Sequence, residues 1–385
     1  METLASKPKS RLSFGRQKPL PKKPSRAISF RPRLELLESR LAPATITVTT
    51  TSDALGVDSL REAINSINAG ADANAAITAS RVGAYGAGDA IHFNIPGAGV
   101  RTIQPISPLP ALVTPMTIDG YTQPGSSPNT ATAGTNAVLL IELDGSNSRS
   151  FDINVGGLTI IGRNTTVTGL VINRFSTNGL VISGPGATND TIAGNFIGTD
   201  ATGTVALPNN GRGGVILGSD FDGADHCTIG GATPAAVNLI SGNNGAGISL
   251  RLSSFNLIQG NLIGTTASGT SALGNGLGMG IGDSSNNLVG GTMPAARNTI
   301  SGNGSGVYFL IRHELTSTTG NVFEGNFVGT AVDGATPLPN MGIGIGIFHG
   351  AHGVDVSNQT IGGTEEVEDP ARRLIDRMGA CVMGF

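Results

Sequence analysis

TIGGATPAAVNLISGN, residues 228–243, returns as LVGGTMPAARNTISGN at 288–303, and this pair decides how the chain folds. A second unit alternates with it: TIAGNFIGTDATGT from Thr191, LIQGNLIGTTASGT from Leu257 and VFEGNFVGTAVDGA from Val322. TIGGTEEVEDPARRLI from Thr360 opens a further copy of the first unit. Taking the Gly of each opening run, Gly194, Gly230, Gly260, Gly290, Gly325 and Gly362, the steps are 36, 30, 30, 35 and 37 residues. Self-similarity at that period marks stacked coils, because a unit this short cannot bury its own apolar residues. Each unit holds three short β-like runs, in the first unit 228–230, 238–241 and 247–250. Side chains alternate between faces along a strand. Ile229, Ile240 and Ile248 should therefore point inward, with Val289, Ile300 and Val307 stacked on them.

Asn and Gly at fixed offsets turn the corners: Asn195, Asn261 and Asn326 after the first run, Asn243 and Asn303 after ISG. Asn tolerates left-handed backbone, and stacked Asn side chains can bond from coil to coil. These positions read as structural. The excursions at 203–210 and 269–275 are longer loops on one side, where a rigid stack would carry binding.

Outward from the repeats, ITVTTTSD from Ile46 opens the folded body as a strand, with Thr45 before it. Ser59 and Glu62 have capping-box spacing, Leu60, Ala63, Ile64 and Ile67 share one helical face, and Gly70 is a stop. This helix should lid the first coil, whose open apolar end and free strand edges otherwise invite association. At the other end the last unit reads PARRLIDRMGACV from Pro370, with Arg373 and Met378 in the Asn places. A degenerate cap and a truncated coil both remain open there, and the acidic run from Glu365 to Asp369 favours truncation. The expected organisation is a leader over 1–44, the strand and capping helix over 45–90, coils over 91–365 and the divergent unit over 366–385.

Charge divides sharply. Residues 1–46 carry eleven Lys or Arg against three acidic residues; the remainder carries thirteen Arg, no Lys and twenty-four Asp or Glu. An acidic body repels phosphates, which argues against nucleic acid as a partner, and it disfavours polyanionic sugars unless a cation intervenes. No apolar run is long enough for a membrane helix or for the centre of an ordinary secretory peptide. Cys227 and Cys381 are too far apart in sequence to suggest a disulfide framework and read as buried thiols.

RPRLELLESRLAPA, residues 31–44, resembles the N-terminal signature of planctomycete extracellular proteins, which implies export as a signal segment. The SLREAI run from Ser59 resembles a motif near the N-terminus of secreted bacterial β-helix proteins, where a Cys often stands at the place of Asp58. The repeats, together with IHFNIPGAGVRTIQP from Ile91, resemble right-handed parallel β-helices of the pectin-lyase-like type over roughly 45–365. The fold expected is thus all-β, a parallel β-helix with a short N-terminal capping helix. Its right hand is implied by the resemblance; the repeats alone establish stacking.

Lyases on such a fold need an Arg or Lys base with carboxylates holding calcium. The body has no Lys; Arg174, Arg212, Arg251 and Arg312 could face a groove, but isolated Arg on a solenoid are more often solvated. Glycosidases need two carboxylates about 5–9.5 Å apart. The strongest acidic cluster is Asp220, Asp222 and Asp225 in GSDFDGADH, beside His226, whose alternating oxygens suit calcium but lack a bidentate Glu. His349 and His352 sit among glycines without a third ligand, and the strings GLGMGIG and GIGIGIF are followed by no helix that would make a dinucleotide site. No catalytic residue is assigned. The expectation is an exported, non-catalytic surface or matrix protein that binds extracellular polysaccharide or cell-surface components, with calcium at Asp220, Asp222 and Asp225 as its one candidate ion. The alternative is a carbohydrate-active lyase or hydrolase.

Overall fold

A computed structural model describes residues 42–311, 316–348 and 356–362. The basic leader up to Leu41, the acidic run at 365–369 and the last unit with Cys381 lie outside those residues, as do Arg312, His349 and His352. The described chain is a right-handed parallel β-helix of three long sheets. The first face has eleven strands, from Thr45–Val48 and Asp89–Phe93 through Thr228–Gly230 to Thr360–Ile361. The second has eight, from Arg101–Ile103 to Phe327–Val328, and the third seven, from Gly156–Ile160 to Ile345–Phe348. Pairing is parallel throughout these faces, except where Thr45–Val48 meets Arg81–Val82. Among the described residues no helix is long and apolar enough to cross a membrane.

Inside, alternation buries the expected side chains, but they do not stack directly on one another: Ile258, Ile263 and Met279 of the intervening coil lie between the expected partners, because the two unit types alternate as successive coils. Ile229, Ile240, Ile248, Val289, Ile300 and Val307 are all fully buried. Ile248 lies between Val215 and Met279 in register, and each such side chain contributes about 1.5–3 kcal/mol by leaving water. The register also departs from the sequence reading at the glycine pairs. Gly230 pairs with Gln259 and Gly290 with Glu324, so Gly231 and Gly291 are the coil-to-coil equivalents of Gly260 and Gly325. Aligning the first Gly of each GG pair would slip the strand by one residue and turn Ile229 outward.

Asparagine ladders hold the corners. Asn195, Asn238, Asn261, Asn298 and Asn326 are linked amide to amide at 2.8–3.3 Å between the first and second faces. Asn209, Asn243, Asn275, Asn303 and Asn340 do the same, at 2.9–3.1 Å, before the third. Glycines make room for this second ladder. A Cβ on Gly247 would come within 2.9 Å of the Asn275 amide nitrogen and 2.8 Å of Ile263.

A third ladder, Asn256, Asn287 and Asn321, is interrupted in the two preceding coils by Cys227 and Asp190. Asp190 is fully buried; its Oδ1 accepts the Thr165 N–H at 2.8 Å. Burial lifts its carboxyl to about 7 against the pull of that bond and of the Cys227 thiol, and pushes Cys227 up to about 12.

The excursions are not free loops. Each folds as a small hairpin, Thr199 bridging Ala206, Thr265 bridging Ala272 and Thr330 bridging Pro337. The hairpins bond to one another, Ala267 N–H to Gly203 and Val332 N–H to Gly269. They cover the outer side of the second face, where Val171, Phe196, Leu239 and Leu262 form a separate apolar cluster.

At the N-terminal end the helix is Leu60–Ala69, with Leu60, Ala63, Ile64 and Ile67 buried in the main core and Gly70 left-handed at its stop. Ser59 caps it, accepting the Glu62 N–H at 3.3 Å. The reciprocal half of the expected capping box is absent: the Glu62 carboxylate instead accepts from Asn65 and Asn74. Asn74 in turn caps a second short helix, Ala75–Ser80, that the sequence reading did not contain.

Candidate functional site

The third face has an outward row that runs Thr159, Val181, Ile216, Ser249, Gly280 and Tyr308 in successive coils. Its side chains shrink at Ser249 and vanish at Gly280. Two residues further along each strand, Arg251 stands beside Gly282, followed by Leu310 and Phe348. Small residues thus open a depression of ≈ 430 Å³, lined by Arg212, Asn244, Ser249, Arg251 and Leu277 together with glycine backbone.

Both arginines are fixed by one carboxylate. Asp220 follows the Gly213–Leu217 strand, and Arg212 precedes it. Asp220 Oδ2 accepts from Arg212 Nη2 at 2.6 Å, and Oδ1 accepts from Arg251 Nη2 at 2.7 Å. Two guanidinium groups against one carboxylate leave one net positive charge on an otherwise acidic body. The Arg251 side chain is only 9% exposed. Its buried Nε has no hydrogen-bond partner among the described residues. Such a donor costs about 1–3 kcal/mol when left unpaired, and a native structure rarely leaves one without a reason. The arrangement suits an anion, since a guanidinium offers planar, paired donors to a carboxylate or sulfate. One coil beyond Gly280, Tyr308 meets Phe348 edge-on at 4.9 Å, giving the depression an aromatic border.

The acidic loop is not a gathered ligand set. Asp220 is committed to its arginines, Asp222 is exposed, and Asp225 Oδ1 accepts the Ser254 N–H at 2.7 Å. Among the described residues no group of three or more His, Cys, Asp or Glu converges as a metal requires. Arg174 belongs elsewhere, bonded to Asp144 at 2.9 Å and 3.9 Å from Glu142 outside the second face. Burial would raise the Asp144 carboxyl, but hydrogen bonds from Ser146 and Gln104 and the charge of Arg174 hold it below its ordinary value. Arg174 was singled out in the sequence without these carboxylates, which stand about thirty residues before it and meet it only through stacking.

No family model and no curated protein matches the chain. Three solved structures align with parts of it. The Dettilon tailspike protein gp208 aligns with TM-score 0.39 and 13% identity over 82% of this chain, which spans 61% of that protein's length. The A-module of Azotobacter vinelandii mannuronan C-5 epimerase AlgE4 aligns with TM-score 0.34 and 14% identity, covering 77% of this chain and 81% of its own. That of AlgE6 aligns with TM-score 0.32 and 14% identity, covering 83% and 100%.

Proposed function

We propose that this chain is an exported, non-catalytic β-helix that holds an extracellular polysaccharide against its third face, with an acidic sugar seated on Arg251 and Arg212. The buried Arg251, fixed by Asp220 together with Arg212 at the wall of an open depression, is the observation that carries the reading. It also answers the objection from composition. A body with excess acid repels a polyanion at long range, yet salt screens exposed charges beyond about 8 Å at physiological strength. At contact, the local positive charge governs. The aromatic border at Tyr308 and Phe348 offers an apolar surface for the next ring. Export rests on the leader motif at 31–44.

The test is incubation of the purified chain with uronic-acid polymers, sulfated polymers and neutral polysaccharides, with and without calcium. Protein depletion and new sugar ends are recorded together. Depletion by acidic polymers without new ends supports the reading. New sugar ends would establish an enzyme in its place, and absence of depletion by every acidic polymer would remove the anion-binding role.

A further inference from the structure

At the corner between the third and first faces, one residue in each of seven successive coils has left-handed backbone, with φ between 53° and 66°. Five rungs carry the residues that tolerate it: Asn164, Asn189, Asn286, Gly320 and Asn358. The other two, adjacent in the middle of the column, are His226 (φ 58°) and Phe255 (φ 61°). Bulky side chains are outliers in that region, and persistent backbone strain of this kind concentrates at functional positions. Packing gives no compensation of the usual sort, because Phe255 is 53% exposed and His226 is exposed as well. The two rings lie nearly parallel, 12° between planes, with centroids 5.2 Å apart. Asn189 and Asn286, on the rungs immediately before and after them, are exposed, and neither side chain makes a hydrogen bond to a described residue.

We infer that this column is a second carbohydrate contact, separate from the arginine depression, in which a ring face that the His226–Phe255 stack leaves uncovered takes the apolar C–H face of a pyranose ring, and Asn189 or Asn286 on the adjoining rung bonds its hydroxyls. Aromatic surface flanked by uncharged amides matches a molecule that is apolar across its ring and polar around its rim. It offers nothing to a phosphate backbone, and the acidic body disfavours one. None of the seven column residues is Asp, Glu, Lys or Arg, which favours neutral sugars.

The inference separates function from stability with one substitution, since Asn is what the backbone prefers at both rungs. His226→Asn, Phe255→Asn and the double variant are compared with the full chain for thermal midpoint and for binding to neutral β-glucan, mannan and xylan at high salt. The expected result is a midpoint equal to or above that of the unsubstituted chain, with binding to at least one neutral polymer weakened about tenfold in the double variant. Excess uronic-acid polymer should not compete with this neutral binding, which keeps it distinct from the acidic site. Undiminished binding by the double variant, or no neutral polymer bound by the full chain, overturns the inference.

Discussion

Replacing Asp190 with Asn should stabilise the protein at neutral and alkaline pH and leave it nearly unchanged in acid. Asp190 stands in the interior ladder at a place where three later coils have Asn, and its carboxyl is raised by burial from 3.8 to about 7. Between about pH 4 and 7 the folded chain therefore keeps a proton that the unfolded chain has released. Stability falls as pH rises through that window, and above it the full cost of a buried carboxylate is present. At about 1.36 kcal/mol for each tenfold change in proton affinity, the distance from 3.8 to about 7 corresponds to about 4 kcal/mol. Asn keeps the acceptor for the Thr165 N–H. Asn256, Asn287 and Asn321 each donate to a carbonyl three residues before the preceding rung, at Ala224, Ser253 and Ser284. The corresponding carbonyl for residue 190 is that of Gly162. Urea unfolding of both proteins from pH 4 to 8 gives the difference directly, and other titrating groups cancel in it. The expected difference grows from near zero at pH 4 to as much as about 4 kcal/mol in favour of Asn at pH 8. A difference that is the same at both ends, or a wild type that is the more stable at pH 8, would refute the argument.

Asn261→Ala removes the middle of a ladder, leaving one Asn238 amide hydrogen unpaired while the other stays on the Ile192 carbonyl; a loss of about 1–3 kcal/mol is expected in the same unfolding assay. Gly247→Ala forces a methyl to within 2.8 Å of Ile263 and 2.9 Å of the Asn275 amide. That should lower stability by about 1–3 kcal/mol and be read as a reduced thermal midpoint. Phe255→Asn relieves a left-handed bulky residue and should raise stability by about 1 kcal/mol.

The core was legible in the sequence because two constraints coincide in it. Alternation along each run picks the inward Ile and Val, and the repeat returns each in a later coil, so Ile240 and Ile300 could be named before any coordinates. Corner residues such as Asn195 and Asn243 were legible for the same reason, since a backbone demand recurs with every coil. What escaped was what alternation cannot see. The GG pairs allowed a one-residue slip, which only the pairing of Gly230 with Gln259 resolves. The helix at Ala75–Ser80 hid in an Ala-rich stretch whose signal was Asn74 as its cap. The arginine site escaped because acidic residues were sought as neighbours in the chain, in GSDFDGADH, whereas Asp220 meets Arg251 about one repeat away. His226 and Phe255 had a readable signal: both precede a strand at the place where neighbouring repeats have Asn or Gly.

The most direct measurement is a binding isotherm for one uronic-acid polymer and for the same polymer with its carboxyl groups reduced to alcohols, using the full chain and its Arg251→Gln and Arg212→Gln variants. The account predicts that reduction of the polymer and loss of Arg251 each weaken binding by about 10- to 100-fold, as expected for one charge-assisted contact, and that the two changes together cost no more than either alone. The more exposed Arg212 should give a smaller loss. Equal binding of the acidic and reduced polymers, or an Arg251→Gln variant that still distinguishes them, would contradict it.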